Sequence, residues 1–274
     1  MQSYQPDREN KIFKSLKASL SLVWLVPCLL LLVGAILTGM NWRMIEQQNH
    51  IRRQGVFNAQ LVRLVARVEG HLRTNEQMLQ GVAGWFAASQ EISREEFRTY
   101  FETLDLETNY PGIQGIGFAQ LISPSQLDSH IQALRSEGFS HYSIRPAGVR
   151  KLYSSIVLLQ PFDWRNQRTF GFDMLTEPVR RDAMLRARYQ GRADFSLKVR
   201  LLQDTENDAQ AGALLYVPVY ARCELKDLIG PCHRRLSGWA YSPLRMRDLI
   251  DSILQKEADA VAGMGVEIYD GREA

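Results

Sequence analysis

The chain has 274 residues, a formal net charge of +3, 23% charged residues and 9% aromatic residues. This composition is typical of an ordinary folded protein. No long basic tract is interleaved with aromatic residues, so nucleic-acid binding has little support. The sequence contains no low-complexity segment and no internal repeat. Evidence for the function must therefore come from the predicted helices, strands and motifs, which follow in chain order.

An uncharged and mostly apolar segment of 25 residues, Ala18–Trp42, lies near the N-terminus. It is long enough to cross a hydrocarbon core of ~30 Å as a helix. A signal peptide is the alternative, but its apolar region is shorter and ends in a small-residue cleavage site, which "ILTGMNW" lacks. We therefore predict a tail over 1–17 and a transmembrane helix over 18–42 in an inner or plasma membrane. The basic residues on the two sides favour, by a small margin, a cytoplasmic tail and a periplasmic domain after the span.

Two cysteines, Cys223 and Cys232, lie in the part that is predicted to be exported. An even pair in an exported domain is typical of a disulfide. The alternative is zinc binding with His233, but three candidate ligands at this spacing fit a structural zinc site poorly.

Residues 43–90 contain no proline and predict one long stalk helix. Apolar residues recur along it at alternating steps of four and three, with one polar position, Asn75. Such a pattern is typical of a coiled-coil seam, so we predict a homodimer through the stalk. The alternative is that the same face packs on the chain's own domain. The positions of the seam are Leu61, Val65, Val68, Leu72, Asn75, Leu79, Val82 and Phe86.

The remaining sequence predicts an α+β domain, because helices with clear start and stop signals alternate irregularly with extended segments. Ser93 opens a capping box, and Gly191 ends a helix that begins at Pro178. "ADFSLKVRLL" and "GALLYVPVYA" predict two strands, and "LSGWAYS" predicts another that forms a hairpin with the second.

Three pieces of this region, "YPGIQGIGFA", "FGFDMLTEPVRRDAMLRARYQGRADFSLKVRLL" and "GALLYVPVY", resemble the CHASE domain in order and separation. CHASE is the extracytoplasmic sensor of cyclase, phosphodiesterase and histidine-kinase receptors. The resemblance implies a stalk helix that carries a membrane-distal PAS-like subdomain, here 91–220, and an incomplete membrane-proximal one, here 221–274. Members of this family continue into a second span and an output domain, so we expect a fragment of a larger receptor or a truncated product.

The resemblance also implies a ligand pocket. In the plant cytokinin receptors, three residues that contact an adenine-type hormone fall on Asp173, Phe195 and Thr205. The aspartate and the threonine are kept, whereas Phe195 stands where those receptors have a leucine that also binds through its backbone. The resemblance therefore implies a small-molecule ligand without naming it.

The residues around Asp173 allow two interpretations. A carboxylate between "FGF" and "ML" is costly to desolvate unless it is paired. It either accepts hydrogen bonds from a ligand, or it holds an internal arginine or caps the helix that begins near Pro178. If it is unpaired, its removal is expected to leave the fold intact. The arginines that follow predict a solvated helix face, or one or two that attract an anionic ligand; they are Arg180, Arg181, Arg186, Arg188 and Arg192.

Catalysis and cofactor binding have no motif to support them. The sequence contains no H-x-x-x-H, no G-x-S-x-G and no P-loop. We predict a sensor without cofactor, metal or nucleic-acid partner. The alternative is a membrane-anchored structural or protein-interaction module without a small ligand.

Overall fold

The structure is a computed structural model that describes the backbone of residues 7–204, 210–221 and 235–256, with side chains from residue 27 onward. The chain divides into two compact units, Met1–Arg63 and Leu64–Ala274. The described part of the first unit is helical. Thr205, Cys223 and Cys232 lie outside the described residues, as does His233, so the predicted disulfide and the zinc alternative stay predictions.

The chain begins with one long helix, α1, over Asp7–Ala88. Among the described side chains, the part from Pro27 is long and apolar enough to cross a membrane by length and composition, and its most apolar segment is wholly exposed. The later helices are α2 (Arg94–Leu104), α3 (Leu106–Asn109), α4 (Leu127–Ser136), α5 (Trp164–Gln167), α6 (Pro178–Gln190) and α7 (Met246–Lys256).

Two helix ends confirm the predicted local signals. The Ser93 side chain accepts from the Glu96 amide, and the Glu96 carboxylate accepts from the Ser93 amide, which is the predicted capping box. Gly191 ends α6 with φ at 65°, a left-handed conformation that favours glycine. Both motifs are local, so the sequence determines them without the rest of the fold.

A five-stranded antiparallel sheet forms the centre of the second unit, and its order β2-β1-β5-β4-β3 is PAS-like. The strands are β1 (Ile116–Ile122), β2 (Tyr153–Gln160), β3 (Asp194–Phe195), β4 (Gly212–Tyr220) and β5 (Leu236–Arg245). The α+β class is therefore confirmed, and so is the β4–β5 hairpin. Only the first part of "ADFSLKVRLL" forms a strand.

The two faces of the sheet pack against different helices. On the α1 face, Leu215 and Val217 of β4 join a cluster with Leu79 and Val82 of α1. On the α6 face, Tyr216 joins a cluster that includes the apolar residues of α6 and the 3-10 turn before it. This alternation follows from the two-residue period of a strand. Each face is thus a separate possible location for a ligand.

The C-terminal part of the predicted seam packs within its own chain. Leu79 and Val82 are wholly buried in the cluster on the α1 face, and Asn75 is 2% exposed. Val68 and Leu72 pack against a cluster that contains Leu249 and Ile253 of α7, and Phe86 packs against the α1-face cluster. The alternative of intramolecular packing therefore holds from Val68 to Phe86. Pairing of two chains stays a prediction, and among the seam positions Leu61 and Val65 are exposed.

The strand order also bears on the predicted boundary between subdomains. β5 lies at the centre of the sheet, between β1 and β4. Residues assigned from the sequence to a second subdomain that begins at residue 221 therefore include the central strand of the first. The membrane-proximal subdomain over 221–274 stays a prediction.

Candidate functional site around Asp173

Asp173 lies where two backbone segments meet at the edge of the sheet. The Ile156 amide of β2 donates to the Phe172 carbonyl at 3.2 Å, and the Asp173 amide donates to the Arg145 carbonyl at 2.7 Å. A 3-10 turn, Met174–Thr176, begins directly after it and leads into α6. The backbone of Asp173 is therefore held from both sides, and this holds its side chain in one place.

The carboxylate of Asp173 is wholly buried, and its two oxygens differ. Oδ1 accepts hydrogen bonds from the amides of Ser154 at 2.9 Å and Leu175 at 3.2 Å. Oδ2 accepts no hydrogen bond from any residue that the structure describes and lies 3.5 Å from Nη1 of Arg150. One oxygen thus stabilises the local backbone, and the other faces a guanidinium.

The structural interpretation of Asp173 is correct for its pairing with an internal arginine and wrong for a cap of the helix that begins near Pro178. The ligand role stays a prediction. Asp173 caps the 3-10 turn, whereas α6 is capped by Glu177, which accepts from the Val179 and Arg180 amides. The internal arginine is Arg150. No sequence signal identified Arg150, because it lies in a loop, 23 positions before Asp173.

Burial raises the pKa of the Asp173 carboxyl, because a charged group is costly to remove from water. Hydrogen bonds from the Ser154 and Leu175 amides and the positive charge of Arg150 offset part of that rise. The sign of the shift means that the folded protein holds the proton on Asp173 more tightly than the unfolded chain does.

Arg150 belongs to a short loop that folds back on itself. Its Nη2 donates to the Pro146 carbonyl at 2.7 Å, and its Nη1 donates to the Gly148 carbonyl at 3.3 Å. The Tyr153 hydroxyl accepts from the Arg150 amide at 3.1 Å and donates to the Gly148 carbonyl. The neighbouring Val149 is 99% exposed, so this loop lies at the protein surface, on the solvent side of the buried Asp173.

Phe195 lies on β3, at the opposite edge of the sheet from β2, beside which Asp173 lies. It pairs with Leu215 across β3 and β4, and paired residues share a face. Its side chain packs against the α1-face cluster and against the α7 cluster, while its carbonyl accepts from Nη2 of Arg186 at 2.9 Å. The structure therefore places Asp173 and Phe195 beside the two opposite edge strands of the sheet.

The arginines of α6 do not all form a solvated face. Arg180 is only 4% exposed, lies 5.3 Å from the Phe172 ring centroid and donates to the Arg200 carbonyl at 3.0 Å. Arg186 pairs with Asp194 at 3.0 Å. The expectation of a solvated face is therefore wrong for Arg180, which joins α6 to the segment after β3.

A hydrogen-bonded chain connects β2 to α4 next to this site. The Tyr142 hydroxyl lies 2.6 Å from the Ser155 hydroxyl and 2.9 Å from Nε2 of His130. Burial raises the pKa of Tyr142 to about 12 and lowers the pKa of His130. Both groups are therefore neutral near pH 7, and Ser155 itself bridges to Asp173 across the backbone.

Open space lies on the α1 face. A cleft of about 1390 Å³ is bordered by the end of α1, the start of α2 and the strands β1, β2 and β4. Arg94 at its edge pairs with Glu137 at 3.0 Å and donates to the Val157 carbonyl. The sequence did not indicate this cleft. It is bordered by Phe86, Ser89, Gln90, Glu91, Ile92, Phe118, Gln120, Leu134, Leu158, Val219, Ala221 and Ser237 as well.

The hydrogen bonds to Oδ1 allow a stability test. Asp173→Ala is expected to lower the free energy of unfolding by about 1–3 kcal/mol, because the buried Ser154 amide loses its acceptor. The structure thus revises the expectation that removing this carboxylate is harmless to the fold. Asp173→Asn keeps Oδ1 and removes the buried charge, so it should be at least as stable as the wild type at pH 7. Urea denaturation of the three proteins measures these differences.

The difference in stability between the wild type and Asp173→Asn should depend on pH. Because the folded-state pKa of Asp173 lies above the unfolded value, protonation favours the folded state. The free energy of unfolding of the wild type should therefore rise as the pH falls through the raised pKa of Asp173. It should fall again as the pH rises through the same pKa. The advantage of Asp173→Asn over the wild type should shrink at low pH. An advantage that grows on acidification would contradict the assignment.

Comparison with known families and structures places the site in context. The CHASE domain model matches residues 90–274, which is 185 of the 274 residues. No curated protein matches the chain. Among solved structures, the ligand-binding domain of the Pseudomonas aeruginosa PAO1 amino acid chemoreceptor PctC, in complex with GABA, is similar with a TM-score of 0.38 and 11% identity. That similarity covers 71% of this chain and 62% of the PctC domain, so the chain spans less than two thirds of that domain. Since the CHASE model covers well over half of its length, the chain belongs to the CHASE domain family.

Proposed function

We propose that this chain is the extracytoplasmic, small-molecule-sensing input region of a membrane-anchored signalling receptor. In the whole receptor it would control a cytoplasmic output domain, either a diguanylate cyclase or phosphodiesterase, or a histidine kinase. The observation that carries the proposal is the CHASE match over 90–274 directly after an apolar, exposed helix. CHASE domains are sensor input domains, so a single span followed by this domain fits a receptor that reads the outside of the cell.

Asp173 is the proposed polar anchor of the ligand. Its support is a wholly buried carboxylate with one oxygen that accepts no hydrogen bond within the described residues. Such a group favours a ligand with an N–H donor, since a hydrogen bond to a charged group contributes about 1.5–3 kcal/mol. Phe195 through its backbone and Thr205 are the proposed further contacts.

Membrane topology tests the extracytoplasmic part of the proposal. In a chain whose cysteines are replaced by serine, Val149→Cys introduces a thiol at a position that is 99% exposed. A membrane-impermeant maleimide should label it in intact spheroplasts as fully as in lysed ones. Labelling only after lysis would place the domain in the cytoplasm and overturn the proposal. With the native cysteines present, unreduced protein should also show Cys223 and Cys232 blocked.

Ligand binding is tested by a thermal-shift screen of adenine derivatives, amino acids and short organic acids against the whole chain in detergent. A hit should bind Asp173→Asn roughly 10- to 150-fold more weakly than it binds the wild type. Val65→Ala on the exposed side of α1 is the matched control and should bind normally. Hits whose affinity is unchanged by Asp173→Asn would move the site elsewhere, with the cleft on the α1 face as the next candidate.

A further inference from the structure

The free oxygen of Asp173 is opposed by a charge that the chain itself supplies. Nη1 of Arg150 lies 3.5 Å from Oδ2, within ion-pair distance and without a hydrogen bond between them. The Arg150 side chain is 23% exposed and the Asp173 side chain is 0% exposed. The guanidinium therefore neutralises a buried carboxylate from its solvent side while leaving that oxygen's hydrogen-bonding capacity unused.

The hydrogen bonds of Arg150 connect it to its own loop. In the described part of the chain, its guanidinium donates to the carbonyls of Pro146, Ala147 and Gly148. Its amide donates to the Tyr153 hydroxyl. Within the described residues the guanidinium donates no hydrogen bond to β2, to α6 or to the segment around Asp173, and it lies 5.5 Å from the ring centroid of Tyr153 in β2. The hydrogen bonds that hold the Asp173 side chain come from the Ser154 and Leu175 amides and do not involve Arg150.

A molecule that takes the place of Arg150 has to meet one electrostatic condition. Removing one partner of a buried ion pair leaves an uncompensated charge, which is strongly unfavourable. A neutral molecule that displaces Arg150 would leave the Asp173 carboxylate in that state. A cation with N–H donors would both keep the carboxylate neutralised and supply the hydrogen bond that Oδ2 lacks.

We propose that Asp173 binds a small organic cation, an ammonium or amidinium-type group, whose N–H donor replaces the Arg150 guanidinium. This inference rests on the proposed ligand-sensing function and adds the chemical class of the ligand. Arg150 is then an internal competitor that occupies the site when no ligand is bound. It sets specificity, because a ligand must compete with a tethered guanidinium for one carboxylate oxygen.

The test uses the whole chain in detergent with Arg150→Ala, and N-ethylguanidinium as the probe. N-ethylurea, which has nearly the same shape without the charge, is the matched neutral compound. We expect N-ethylguanidinium to bind Arg150→Ala roughly tenfold or more tightly than it binds the wild type, because the competitor is gone. N-ethylurea should show no such gain. Titrations by thermal shift and by calorimetry measure both affinities.

Three further proteins make the result specific. The gain should disappear in Arg150→Ala combined with Asp173→Asn. It should be absent in Arg98→Ala, which removes an arginine from an exposed ion pair with Glu95. N-ethylguanidinium should also bind Arg150→Gln more tightly than it binds the wild type. This variant replaces Arg150→Ala in the test if the alanine variant does not fold. Failure of both Arg150 variants to fold would make Arg150 a structural residue and overturn the proposal.

Other outcomes separate this inference from the proposed function. A screen hit that is anionic, and that Arg150→Gln weakens, would overturn the inference and leave a sensor whose ligand is bound by Arg150. Equal binding of N-ethylguanidinium and N-ethylurea to Arg150→Ala would also overturn the cation class. Failure of the proposed function would appear in the topology experiment as labelling only after lysis. That experiment does not depend on Arg150 or on a binding probe.

Discussion

Asp204→Ala is expected to lower the free energy of unfolding by about 3–5 kcal/mol, because it removes the buried carboxylate that pairs with the Arg245 guanidinium. Asp204 accepts from Nε of Arg245 at 3.0 Å and from Nη2 of the same guanidinium. The exposed fractions of the two side chains are 0% for Asp204 and 7% for Arg245. The pair joins the segment after β3 to the last residue of β5, directly before α7, so both strand ends depend on it. Urea denaturation followed by tryptophan fluorescence measures the loss.

A double replacement shows whether the loss comes from breaking a buried ion pair on one side only. Asp204→Leu together with Arg245→Met removes both charges and keeps apolar volume, so it should recover most of the stability that Asp204→Ala loses. Arg98→Ala, at an ion pair on the surface of α2, should leave the unfolding midpoint unchanged. If the double variant is as unstable as Asp204→Ala, the loss does not come from breaking the ion pair on one side only.

Leu79→Ala is expected to lower the free energy of unfolding by about 2–5 kcal/mol. Leu79 is wholly buried in the cluster between α1 and the sheet, so its truncation leaves a cavity in the core of the domain. The position also decides between the two interpretations of the stalk pattern. An intramolecular contact gives a loss that is independent of protein concentration, whereas a seam between two chains gives a loss that depends on it.

Denaturation of wild type and Leu79→Ala over a hundredfold range of protein concentration makes the distinction. Val65→Ala is the matched control on the same helix, because Val65 is 47% exposed. It should change stability by no more than ~0.5 kcal/mol. A midpoint for Leu79→Ala that rises with protein concentration, relative to the wild type, would favour the interchain seam.

Local signals in the sequence were sufficient where neighbouring residues decide the structure. The capping box at Ser93, the glycine end of α6 at Gly191 and the β4–β5 hairpin are all confirmed. Each rests on hydrogen bonds or backbone conformations within a short stretch of chain. The resemblance of the region after residue 90 to the CHASE domain is confirmed as well.

The apolar repeat along α1 shows the limit of such signals. It correctly predicted which side of the helix is buried from Val68 to Phe86. A repeat of this kind specifies an apolar face and not the partner that covers it. The tertiary structure supplies that partner, the sheet and α7 of the same chain.

Strand pairing decided two further features. β5 comes late in the chain and still lies between β1 and β4, which brought residues after 221 into the first sheet. Phe195 pairs with Leu215, and this register turns its side chain toward α1. Register is a property of two strands together, and a shift of one residue exchanges the faces. One strand's sequence therefore cannot determine it.

The sequence by itself determined that this is an α+β sensor domain after an apolar helix, with a costly carboxylate at Asp173. The tertiary structure alone decided what that carboxylate contacts. Its hydrogen bonds come from Ser154 and Leu175, and its ion pair comes from Arg150 in a loop 23 positions away. The physical reason is that helix caps and apolar periodicity arise among near neighbours in the chain. The partner of a buried charge is set by which distant segments the folded backbone brings together.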